Sequence, residues 1–141
     1  MTYPNLNVGA QVHRDIVIDP TRTIDFLGEQ LRIYATPELV RDIELTCLDF
    51  LLPSLAAGEN SVGTALDIRH TGATLMGMSV RISATISHID RRSITFDVSA
   101  SDGVEEVCTG THSRFIVDVD KLRGKVEQKA QLVARGSAAA A

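Results

Sequence analysis

The clearest pattern along the chain is strict alternation in its second half. Val80, Ile82, Ala84 and Ile86 alternate with Arg81, Ser83, Thr85 and Ser87, the period of a strand with one buried face. After the turn Asp90-Arg91-Arg92, Ile94, Phe96, Val98 and Ala100 alternate with Ser93, Thr95, Asp97 and Ser99. Asp102-Gly103 is a favoured hairpin turn, and Val104 to Val117 reads as a long final strand. Residues 10–18 predict a first strand closed by Pro20, and Ser61 to His70 a further one interrupted by Gly63. Between Thr21 and Tyr34 the apolar residues are scattered among charges, and a short helix or a flap fits equally.

One segment carries a helical period instead. Thr36 is placed to cap it with its hydroxyl, Pro37 suits the first position, and Glu38 suits the positive end of the dipole. Leu39, Val40, Ile43, Cys47, Leu48, Phe50 and Leu51 then fall on one broad arc, with Glu38, Asp42 and Asp49 opposite. Pro53 and the loop at 56–60 end it. Glu44 breaks the division by projecting inside the apolar arc. A helix followed by short-linked antiparallel strands predicts an α+β class. Residues 118–134 have weak helical character that Gly124 is expected to break. The domain is read as 1–134. Leu132 to Ser137 resembles a thrombin-cleavage linker with Ala in place of Pro, so the low-complexity tail 135–141 is set aside from functional reasoning.

Composition narrows the function classes. The 141 residues suit a single core. A net charge of −4, with 4% aromatic residues and no Trp, argues against nucleic-acid binding by phosphate neutralisation or base stacking. No apolar run approaches the roughly 18 residues of a membrane helix. The start Met1-Thr2-Tyr3-Pro4-Asn5 lacks a signal layout. Cys47 and Cys108 form no CxxC pair, so a thiolate zinc site is not expected and reduced thiols in a cytoplasmic protein are. No histidine pair has metal-ligand spacing, and no cofactor is implied.

Three residues hold candidate chemistry. An ionised carboxylate among apolar neighbours is paired, protonated or functional; Glu44 is either such a group or an edge residue reaching solvent or Arg41. His70 ends a strand beside a turn, where sites are often built. His13, His88 and His112 offer no such context. Gly63 marks a bulge, a close backbone approach, or only a strand start.

Taken jointly, these residues carry a resemblance. Ala35-Thr36 with Glu44 eight residues on, Gly63-Thr64-Ala65, and His70-Thr71-x-Ala73-Thr74 resemble the hotdog-fold acyl-CoA thioesterases, and most closely the fluoroacetyl-CoA type. Val98-Ser99-Ala100-x-Asp102-Gly103-Val104, Gly110-Thr111-His112 and Lys125-Val126-x-Gln128-Lys129 extend the likeness over Val8 to Lys129. The resemblance implies a curved antiparallel sheet wrapped around one central helix. It implies Thr36, Glu44 and His70 as the catalytic set, the Gly63 backbone beside the thioester carbonyl, and a structural role for His112. It implies an acyl-CoA substrate, so that coenzyme A belongs to the substrate, and a homodimer whose sites are completed by the neighbouring subunit. A hotdog hydratase or dehydratase and a non-catalytic acyl-CoA-binding module are the alternatives. The segment 20–36 is shorter than the aromatic lid of the fluoroacetyl type and offers only Phe26 and Tyr34, so hydrolysis is implied but fluoroacetyl selectivity is not.

Overall fold

The computed structural model describes residues 3–140, with side chains through 136. Its elements in chain order are β1 (Gln11–Val17), α1 (Thr36–Leu51), β2 (Glu59–His70), β3 (Ser79–Asp90), β4 (Ser93–Ser101), β5 (Glu106–Asp118) and α2 (Val119–Ala140). The five strands form one antiparallel sheet in the order β1-β3-β4-β5-β2. The alternating residues do what their period requires: Val80, Ile82, Ala84 and Ile86 of β3 and Ile94, Phe96, Val98 and Ala100 of β4 are buried. Leu39, Ile43, Cys47 and Leu51 of α1 are fully buried in the same core. Each such aliphatic side chain contributes about 1.5–3 kcal/mol by leaving water. Phe50 meets Phe96 edge to face at 6.3 Å between ring centres, joining helix to sheet.

The two edges of the sheet are β1 and β2. Strand β2 carries a bulge: Gly63 pairs with Arg114 and Ala65 with Ser113, leaving Thr64 as the extra residue. The Arg91 turn joining β3 to β4 takes a positive φ of 56°, and Gly103 turns β4 into β5 at φ 87°.

Four expectations change. First, the helix begins at Thr36 with Ala35 as its cap, and the Thr36 hydroxyl caps nothing; it bonds to a distant side chain described below. Second, the buried face of α1 is turned toward Asp42 and Thr46, which are 3% and 1% exposed, while Val40, Glu44 and Leu48 lie half-buried at its rim. Asp42 tolerates this because Arg22 and Tyr34 satisfy it. Third, Gly124 does not break the C-terminal helix, which is continuous through Ala140; a helical glycine costs only about 1 kcal/mol against Ala. Fourth, the segment 20–34 is neither a helix nor a free flap. Two single 3₁₀ turns, Pro20–Arg22 and Glu29–Leu31, are tied down by the bridges Thr23–Tyr34 and Ile33–Leu75. Among the described residues no helix is long and apolar enough to cross a membrane.

Candidate active site

The first half of the site is built where α1 starts and β2 ends. Pro37, second in the helix, fixes the chain there, and the Thr36 side chain reaches across to His70, with Oγ1 2.7 Å from Nδ1. The Tyr34 ring packs edge-on against the imidazole at 6.1 Å and 75°. The buried Nε2 of His70 has no hydrogen-bond partner among the described residues. Burial pushes the His70 pKa below the ordinary 6.5, against a smaller opposing interaction with the Gly72 backbone, so the ring is neutral at pH 7. A neutral ring accepting the Thr36 hydroxyl at Nδ1 carries its proton on Nε2. The pair opens on a cavity of about 340 Å³ lined by Ile24, Phe26, Ile33, Tyr34, Thr36, His70, Thr71, Gly72 and Ala73. Phe26, 76% exposed, stands at its mouth.

The second half lies two turns along α1. Glu44 faces the bulge of β2, and a Cβ on Gly63 would come within 2.9 Å of its Oε2 and 3.3 Å of the His112 ring. Glycine is thus what lets the carboxylate approach the strand backbone. Glu44 is not set among hydrocarbon: its side chain is 44% exposed, and the Arg114 guanidinium lies 3.7 Å from Oε2. Arg114 itself is buried. Its Nε donates to Ser61 Oγ at 2.8 Å, Nη2 to the Ser61 carbonyl at 2.9 Å, and Nη1 to His112 Nε2 at 3.2 Å. His112 in turn donates from Nδ1 to the Ala65 carbonyl at 2.8 Å. Burial holds His112 below its ordinary pKa, with a further lowering by Arg114, which fits a neutral ring accepting at Nε2 and donating at Nδ1. Burial also lowers the pKa of Arg114, and the Glu44 charge opposes that effect. A cavity of about 220 Å³ opens here on Glu44, residues 63–66 and His112.

The structure therefore joins Thr36 to His70 and Glu44 to Gly63, and leaves the two pairs in separate cavities of one chain. Sequence reading missed Arg114 as the partner of Glu44. The signal was present: His112, Arg114 and Ile116 share one face of β5 by alternation, so Arg114 is a charge pointing inward.

Residues 18–120 match the fluoroacetyl-CoA-specific thioesterase family. The chain is 34% identical over 131 residues to the fluoroacetyl-CoA thioesterase of Streptantibioticus cattleyicolor, covering 88% of this chain and 94% of the relative. A solved structure of the fluoroacetyl-CoA thioesterase FlK superposes with a TM-score of 0.81 at 33% identity, covering 89% of this chain and 98% of that one. A hot-dog-like protein from Thermanaerovibrio acidaminovorans shares the fold, with a TM-score of 0.80 at 20% identity over 86% of this chain and 91% of its own. The fold is the hotdog fold, and the chain belongs to the fluoroacetyl-CoA-specific thioesterase family.

Proposed function

We propose that this protein hydrolyses a small acyl-CoA thioester to the free acid and CoA, at a site formed by two copies of the chain. The Thr36–His70 pair of one copy works with Glu44 and Gly63 of the other. The observation that carries this reading is the 2.7 Å contact between Thr36 and a neutral His70 beside a cavity free of Asp, Glu, Lys and Arg. Such a lining suits an uncharged acyl group.

The chemistry divides as follows. Glu44, held by Arg114, activates water as a general base or attacks the carbonyl carbon itself to give a mixed anhydride that water then cleaves. The Gly63 backbone lies beside the thioester carbonyl, where negative charge develops. Thr36 orients the reacting group through its hydroxyl, and His70 positions that hydroxyl; the proton that the departing CoA thiolate takes up comes from the water that is deprotonated.

The separation of the two pairs into different cavities of one chain supports a second copy. Antiparallel pairing of two β2 edges centred on Asp67, with Thr64 as the bulged residue, sets Gly63 opposite His70 of the partner subunit, about 5 Å away across the strands. The same pairing covers the exposed strand edge. A panel of acetyl-, fluoroacetyl-, branched and aryl-acyl-CoA esters, with CoA release followed by a thiol reagent, tests the activity. Release from one or more uncharged esters is the expected result. Binding without release, or a change in enoyl absorbance without release, would overturn it.

A further inference from the structure

Asp42 is the one charged side chain that α1 buries among the described residues, and the chemistry above does not use it. Its carboxylate accepts from Arg22 Nε at 3.0 Å, Arg22 Nη2 at 3.2 Å and the Tyr34 phenol at 2.5 Å. Desolvation and that hydrogen bond both raise the Tyr34 pKa, so the phenol stays a donor. The cluster sits where apolar residues of the same volume would serve stability as well. Its placement is what distinguishes it. The ring that Asp42 pins by its hydroxyl is the ring that lies against His70. Tyr34 is also fixed along its backbone, donating to the Thr74 carbonyl at 2.9 Å, while the next residue, Ala35, donates to the Arg22 carbonyl at 2.8 Å. The residue after that is Thr36.

We propose that Tyr34 is a positioning residue: anchored by Asp42 and Arg22, it sets the His70 imidazole and the first turn of α1 so that Thr36 and His70 meet. His70 needs such a support: beside its interaction with the Gly72 backbone, its ring has one well-formed hydrogen bond, at Nδ1, and none at Nε2, and a ring so held rotates unless something packs against it. Arg22 also bonds to Asp19 at 2.8 Å, so the anchor ties the segment over the acyl cavity to the same helix.

This proposal rests on the reading that His70 takes part in thioester hydrolysis, and a double-mutant cycle separates the two. Tyr34→Phe keeps the ring and removes the anchor. In the wild-type background it lowers kcat about 5- to 20-fold with KM changed less than about twofold; in the His70→Ala background it costs less than about twofold, because its effect passes through the imidazole. Asp42→Asn, which keeps an acceptor for the phenol, loses less than Tyr34→Phe. Equal losses from Tyr34→Phe in both backgrounds, or no loss in either while His70→Ala is slow, would overturn the positioning role alone. His70→Ala at the wild-type rate would overturn the reading of the site and this role with it.

Discussion

Thr36 and Glu44 stand on one helix eight residues apart, which places about 12 Å of helix axis between them. Thr36 is bonded to His70 at one end of β2, while Glu44 faces the bulge at Gly63. No side-chain rotation brings the hydroxyl and carboxylate of one chain onto a single carbon atom. The proposed reading therefore assigns the two halves to two chains.

Glu44→Gln is expected to lower kcat by about 10²–10³-fold or more. The side chain is 44% exposed and contributes little packing, so the melting temperature stays within a few degrees of wild type. Steady-state kinetics beside a thermal melt checks both halves. Near-wild-type turnover would remove Glu44 from the chemistry.

At Thr36 the hydroxyl is the functional part, because it bonds to His70 and caps no helix. Thr36→Ser retains more turnover than Thr36→Ala, and both variants fold. Equal losses would show that the methyl group, and not the hydroxyl, matters.

Gly63→Ala places a methyl group 2.9 Å from the Glu44 carboxylate, closer than a real contact allows. Glu44 is half-exposed and gives way by swinging toward solvent, so the cost falls on activity, about tenfold or more in kcat, with little loss of stability. Unaltered turnover would mean that the approach of Glu44 to the strand is not used.

Burial lowers the pKa of both His70 and His112 from 6.5. In the unfolded chain each takes up a proton near pH 6.5; in the folded chain each resists until a lower pH. Between those values the unfolded state binds more protons, so stability falls as pH drops below 6.5 and is flat above it as far as these groups are concerned. The depressed pKa of Asp102, held down chiefly by the Glu105 backbone N–H, adds a separate loss below pH 3.8. Urea midpoints at pH 7.5 and 5.5 test the histidine window. Turnover should persist below pH 6.5, because His70 remains neutral there. An acidic limb centred at or above 6.5 would contradict the buried neutral ring.

The sheet was legible because its signal is local. The alternation of Val80 to Ile86 and of Ile94 to Ala100 fixes which side chains face the core without reference to anything distant. Long-range partners were not legible. Asp42 looks like a surface acid until Arg22, twenty residues earlier, and Tyr34 are seen on it. The Thr36 hydroxyl looks like a helix cap until the chain brings His70, thirty-four residues on, within reach. Resemblance to a family singled out Thr36, Glu44, Gly63 and His70, but their division into two cavities depends on helix length and strand register together. Glu44 was expected among apolar neighbours because a helical wheel shows only its own helix and cannot show Arg114 on β5.

Mixing inactive variants tests the shared site most directly. Thr36→Ala and Glu44→Gln chains are refolded together in equal amounts. Half of the resulting dimers are mixed and each mixed dimer holds one intact site of two, so activity returns to about a quarter of wild type. A mixture of Thr36→Ala with His70→Ala, both lesions lying in the same half, stays inactive. Activity from the second mixture, or none from the first when mixed dimers are present, would contradict a site built across two chains.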